Sequence, residues 1–161
     1  MPRVLVVDDD HDMCAVLAAA LAAEGFDVAR AHDARTALEE LATEPPDAVI
    51  LDVMMPGMDG FELLADVRQR RLAAETRFLV VTCRTSERDH LRGWELGADD
   101  YVTKPVDMAA LADRVRAVLA ASEEELADRR SDELAKAALL DRLEAAMRRP
   151  AGALRLFSSQ S

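Results

Sequence analysis

The chain has 161 residues, of which 50% are hydrophobic and 32% charged, and a formal net charge of −11. That length supports one well-buried core and excludes two ordinary domains. Residues 1–121 carry 23 of the 31 acidic and 13 of the 20 basic residues, so no surplus of Lys and Arg favours direct nucleic-acid binding.

Arg3–Val7 (RVLVV) is a short Val-rich run, the pattern of a strand buried on both faces of a parallel sheet. A helical period follows through Met13, Val16, Leu17, Ala20 and Leu21, and stops before Gly25. Phe26–Ala31 reads as a second, weaker strand. Asp33 is placed to cap a helix through Ala37, Leu38 and Leu41, which Pro45-Pro46 ends. Ala48–Leu51 (AVIL) is another buried strand and stops at Asp52. A loop with Pro56, Gly57 and Gly60 leads into a helix bearing Phe61, Leu64 and Val67. Phe78–Val81 (FLVV) is a fourth strand ending at Thr82, and a helix from about Ser86 to Leu96 stops at Gly97. A short strand around Tyr101-Val102 leads to Lys104-Pro105, and a fifth helix starts near Asp107 and carries Leu111, Val115, Val118 and Leu119.

Strands that alternate with helices predict an α/β protein, a parallel sheet with helices on both faces. Right-handed crossovers favour the doubly wound five-stranded order 2-1-3-4-5, the flavodoxin-like arrangement. Ligands of such sheets bind beyond the carboxyl ends of the strands. Here those ends carry Asp8-Asp9-Asp10, Asp52, Thr82 and Lys104.

Taken singly, each has a plain explanation: a solvated turn, a helix cap, a structural hydroxyl, a surface charge. Together they place carboxylates, a hydroxyl and an ammonium on one edge. Clustered carboxylates raise one another's pKa, and Mg²⁺ prefers such oxygen ligands. Phosphoryl transfer needs mainly positioning and charge neutralisation. Asp52 suits the nucleophile, Asp9 and Asp52 suit Mg²⁺ with Asp8 direct or through water, and Lys104 and Thr82 suit phosphoryl oxygens.

The segments VLVVDDD (4–10), VILDVMMPGMDGFELL (49–64), LVVT (79–82) and LGADDYVTKP (96–105) resemble the response-regulator receiver family of two-component signal transduction. The likeness runs from residue 3 to about 120. It implies phosphorylation of Asp52 by a sensor histidine kinase or phosphotransfer protein. It assigns Mg²⁺ to Asp8, Asp9, Asp52 and the backbone carbonyl of Met54. It gives Thr82 and Lys104 phosphate-sensing roles, makes Lys104-Pro105 a cis peptide, and makes Tyr101 with Thr82 the switch pair. An apolar Met54 cannot orient an attacking water, so a slowly decaying phosphoryl state is expected.

HLRGWELGADDYVTKP is similar to receivers of the winged-helix transcription-factor subfamily, which dimerise through the fourth helix, fifth strand and fifth helix. Arg92, Asp99, Asp100, Arg114 and Arg116 stand at matching positions, while Ala109 and Ala110 replace an expected acid. A receiver of this kind is not an enzyme beyond catalysing its own phosphorylation and dephosphorylation. A phosphorylation-independent adaptor and an Asp-nucleophile phosphohydrolase, which would need Asp8 and Asp10 together, are the competing readings.

The predicted organisation is a receiver over residues 1–121, a helical extension over 122–149 and a short tail over 150–161. The last forty residues hold no strand-rich wing or basic recognition helix. Ala120–Arg149 is helix-friendly, but its heptad seam is apolar only at the ends. One long helix competes with two that break near Ser131-Asp132. A solvated linker likewise competes with a dimerising or partner-binding helix. Output is therefore expected through a downstream protein, or a homodimer formed by the fourth-helix face or the C-terminal helix.

His11, beside the acidic cluster, reads as a metal ligand or a solvated first turn. Cys14 and Cys83 read as reduced thiols. With no signal-peptide pattern and no apolar run long enough to cross a bilayer, a cytoplasmic protein without membrane insertion is expected.

Overall fold

A computed structural model describes residues 1–148. Five parallel strands alternate with helices: β1 (Arg3–Val7), α1 (His11–Ala23), β2 (Asp27–Ala31), α2 (Ala34–Thr43), β3 (Ala48–Leu51), α3 (Gly60–Gln69), β4 (Arg77–Thr82), α4 (Glu87–Glu95), β5 (Asp100–Thr103), α5 (Met108–Ala120) and α6 (Glu123–Met147). The sheet order is β2-β1-β3-β4-β5, the doubly wound order expected. The register sets Val7 beside Leu51 and Leu51 beside Val80, which aligns the strand ends of β1, β3 and β4.

The strands form because they bury both faces. Val4, Val6, Ile50, Leu79 and Val81 face one core with Leu17 and Leu21 of α1 and Leu111 and Val115 of α5. Leu5, Val7, Val49, Leu51 and Val80 face the other with Leu41 of α2, Phe61 and Leu64 of α3, and Trp94 of α4. Each fully buried Val, Leu or Phe contributes roughly 1.5–3 kcal/mol, enough in aggregate to offset chain entropy. Every helix starts on an Asp or Ser that accepts a hydrogen bond from a free first-turn amide: Asp10, Asp33, Asp59, Ser86, Asp107 and Ser122.

The extension is one helix. Ser131 and Asp132 lie inside α6, and the break falls earlier, at the two residues Ala121 and Ser122. The pattern Ser122-x-x-Glu125 marks that start: Ser122 Oγ accepts from the Glu125 amide at 3.1 Å. α6 turns back along α4, and its Arg129 reaches Asp100 of β5. Leu126 joins the core under α5, while Leu134 packs against the core under α4. The tail expected over 150–161 lies outside the described residues. No helix among the described residues is long and apolar enough to cross a membrane.

Candidate functional site

β1 and β3 are neighbours, and their carboxyl ends deliver Asp8, Asp9 and Asp52 to one point. One carboxylate oxygen from each lies within 4.8 Å of the others. Asp8 and Asp52 are buried although charged. Lys104, from the loop after β5, bridges them: its Nζ lies 3.3 Å from Asp8 Oδ2 and 3.1 Å from Asp52 Oδ2. The Lys104–Pro105 peptide is cis, as the resemblance implies. Asp52 Oδ1 accepts from the Met54 amide at 2.9 Å, and Asp8 Oδ1 from the Asp10 amide at 3.0 Å.

One ammonium does not balance three carboxylates. Burial holds the Asp8 carboxyl above its usual value. The Asp10 amide and Lys104 oppose that rise, and the charge of Asp52 adds to it. Burial alone would lower the Lys104 ammonium, but the charges of Asp52 and then Asp8 raise it instead. The cluster thus has an excess of buried negative charge and oxygen donors of the kind Mg²⁺ takes. The donor set fits that ion.

Asp10 does not join the cluster. Its side chain accepts from the Asp12 and Met13 amides and caps α1. The hydrolase reading needs a second acid there and loses its candidate. His11 also turns elsewhere, stacking on His32 with ring centroids 3.7 Å apart, while His32 Nδ1 meets the Asp8 carbonyl at 3.2 Å.

The backbone around Asp52 is fixed by a close approach. A Cβ on Gly60 would lie 2.5 Å from Val53 Cα and 2.6 Å from the Asp52 carbonyl oxygen. Only glycine lets α3 start so near the strand that carries Asp52. Met54 sits on the same loop with its side chain half exposed.

Thr82 ends β4 fully buried, and its Oγ1 accepts from the Arg84 amide at 3.3 Å. Tyr101 points inward: it is 5% exposed, and its hydroxyl donates to the Arg84 carbonyl at 3.1 Å. Thr82 and Tyr101 therefore meet through one residue, Arg84. Burial raises the Tyr101 phenol well above its ordinary pKa. His90 of α4 lies against the Tyr101 ring at 4.1 Å, a contact that sequence reasoning missed. A Cβ on Gly93 would come within 2.8 Å of Tyr101 Cδ2, so α4 rests directly on that ring.

The five residues expected on a dimer face do not share a face. Arg114 pairs with Asp100 at 3.0 Å. Arg116 instead pairs with Glu24 and Asp113 and lies over Phe26, beside α1. Residues two apart on a helix point in different directions, so Arg114 and Arg116 cannot act together. Arg92 lies over the Phe61 ring. Asp99 and Asp100 are buried and already paired within the chain. Both cysteines are free: Cys14 is buried, its thiol pushed up to about 11 by desolvation and then by Asp8, and Cys83 is exposed.

The fold and this sheet edge define a doubly wound α/β signalling domain with a built acidic cluster. The chain belongs to the response regulator receiver domain family, whose sequence model matches residues 4–116. It is 41% identical over 121 residues to the alkaline phosphatase synthesis transcriptional regulatory protein PhoP of Bacillus subtilis (strain 168). That match covers 75% of this chain and 50% of the relative. The chain therefore spans about half the length of that relative. Among solved structures it resembles the Francisella response regulator 1452 receiver domain (31% identity, TM-score 0.70), with 74% of this chain and 97% of that one covered. It also resembles DrrB, a Thermotoga maritima OmpR/PhoB homolog (33% identity, TM-score 0.66), with 74% and 52% covered. Among the described residues nothing follows the receiver except α6, and no DNA-binding domain is present.

Proposed function

We propose that this receiver accepts one phosphoryl group on Asp52 from a sensor histidine kinase or phosphotransfer protein, in a Mg²⁺-dependent reaction in the cytoplasm. The observation that carries this reading is the convergence of Asp8, Asp9 and Asp52 within 4.8 Å, with Lys104 bridging Asp8 and Asp52. Asp8, Asp9, Asp52 and the Met54 carbonyl would hold Mg²⁺, which when bound neutralises phosphoryl oxygens.

An Asp52 carboxylate oxygen attacks phosphorus, and the bond from phosphorus to the donor nitrogen breaks with its electron pair. The product is an acyl phosphate on Asp52. Lys104 moves from the Asp52 carboxylate to a phosphoryl oxygen, a charge-assisted contact. The Thr82 hydroxyl accepts from Arg84, so its own proton remains to donate to another phosphoryl oxygen. Thr82 and Tyr101 both bond to Arg84, so a shift of Thr82 is felt at the ring under α4. Functionally, residues 1–121 are the receiver, 122–149 its helical extension and 150–161 a tail. Output passes to a downstream protein.

Incubation with Mg²⁺ and a small phosphodonor is expected to give one acid-stable, base-labile phosphoryl group that is absent from Asp52→Asn. A wild-type chain that takes no label would favour the adaptor. Rapid turnover of unrelated phosphate esters would favour the hydrolase. The exposed, apolar Met54 predicts slow loss of the label once formed. Decay within seconds, followed by quenched time points, would contradict that.

A further inference from the structure

Asp99 lies just before β5 and is buried. Arg68 of α3 reaches it at 3.2 Å and Arg130 of α6 at 2.6 Å, and it accepts from the Phe78 amide at 2.9 Å. The carboxylate is therefore fully partnered. The cations around it are not. Arg68, Arg130 and a third arginine, Arg77 at the start of β4, line one cavity of about 450 Å³ with Asp99 and Leu126. Among the described residues Arg77 forms no ion pair, and its guanidinium has one partner, the Ala121 carbonyl at 3.5 Å. Three positive charges thus meet one buried negative charge.

The three arginines feel one another. Burial lowers the Arg68 pKa, Asp99 opposes that, and the charges of Arg130 and Arg77 lower it further. Backbone carbonyls steady these side chains without neutralising them. Gly97 accepts from Arg68 at 2.8 Å and Ala98 from Arg130 at 3.2 Å. Arg68 also lies over the Phe78 ring. A guanidinium carries five N–H donors, so each keeps donors to spare. Glu95 and Glu123 border the same cavity, but they are exposed and form no ion pair with the three. Charges so placed are screened by water and salt.

We propose that this cavity is a binding site for a small phosphate-bearing anion, held by Arg68, Arg77 and Arg130. Guanidinium forks match the oxygens of phosphate and carboxylate. A planar carboxylate takes two of these arginines, as Asp99 does, whereas a tetrahedral anion in the cavity meets the third as well. A phosphate ester carries about −1.5 to −2 charge at neutral pH, which offsets the surplus. A long polyanion fits poorly, because the chain as a whole carries −11. The site stands at the amino ends of β4 and β5, while Asp52 follows the carboxyl end of β3. It therefore does not depend on Asp52 accepting phosphate. Its arginines come from α3, β4 and α6, so a bound anion also ties α6 to the receiver body.

Calorimetry on the full-length chain, without Mg²⁺ or phosphodonor, tests the site by titrating inorganic phosphate against chloride at equal ionic strength. One saturable site is expected, and it should persist in Asp52→Asn. Arg77→Gln should bind phosphate at least about tenfold more weakly, while its thermal midpoint without phosphate stays unchanged. Glycerol phosphate distinguishes the source of the anion. Tighter binding than inorganic phosphate marks an organic ester as the ligand, and equal or weaker binding marks the free ion. No saturable binding, equal affinity in Arg77→Gln, or binding that Asp52→Asn abolishes would overturn the site and leave the arginines as helix-end caps only. If Arg77→Gln does not fold, the backbone amide shifts of the wild-type chain decide. The largest phosphate-induced shifts at Arg68, Arg77, Gly97 and Arg130 support the site, and the largest at Asp8, Asp9 and Asp52 overturn it.

Discussion

Two regions of this molecule bury carboxylates, and they do so in opposite ways. At the sheet edge, buried Asp8 and Asp52 share one lysine, Lys104, with half-buried Asp9 beside them. Across the β5 edge, Asp99 and Asp100 share four arginines: Arg68, Arg130, Arg114 and Arg129. The first set is left short of positive charge and open to an added cation and anion. The second is complete and acts as a structural joint between receiver and α6. Buried acid alone does not mark a reactive site; an unbalanced set of ligands does.

Breaking the complete joint is expected to have the largest effect. Asp99→Ala leaves Arg68 and Arg130 facing each other and the buried Phe78 amide without its acceptor. Removing one partner of a buried ion pair costs about 3–5 kcal/mol, which urea denaturation would read directly. A loss under about 1 kcal/mol would show that this joint is solvated and not structural.

The open cluster should respond to ligand instead. Mg²⁺ at about 100-fold above its dissociation constant is expected to stabilise the wild type by roughly 2.7 kcal/mol. Asp8→Asn with Asp9→Asn should remove most of that gain. If Mg²⁺ stabilises the double variant equally, the ion binds elsewhere.

The smallest effect has the opposite sign from Asp99→Ala. Asp8 is raised by burial above 3.8 despite Lys104, so the folded chain holds its proton more tightly than the unfolded chain. The stability it contributes is full below its unfolded pKa, about 4, and is lost as pH rises through the folded value. Without divalent cation, Asp8→Asn should therefore raise the thermal midpoint at pH 7 by about 2 °C. It should also flatten the pH dependence between the two values. A drop at pH 7 would mean that Lys104 outweighs the burial.

Much of this was legible in the sequence. AVIL at 48–51 reads as β3 to the residue, because both faces are buried and the run is uninterrupted by polar residues. Asp52, Thr82 and Lys104 were legible because strand ends are where this topology gathers its polar groups. The course of α6 was not. Arg129 and Lys136 look like defects in a heptad seam, because periodicity records apolar faces and not charges that meet buried acids far away in sequence. Arg129 meets Asp100, and its neighbour Arg130 meets Asp99. The start of α6 was visible in Ser122-x-x-Glu125, a capping pattern masked by the helix-friendly residues around it. Arg116 could also have been separated from Arg114 by helical geometry alone.

The proposed function turns on which carboxylate takes the phosphoryl group. Reductive trapping of the acyl phosphate after incubation with Mg²⁺ and a small phosphodonor, followed by peptide mapping, locates it to a residue. The expected result is modification of Asp52 alone, with Asp8 and Asp9 unmodified. Modification of Asp8 or Asp9, or of any residue away from the sheet edge, would contradict the assignment.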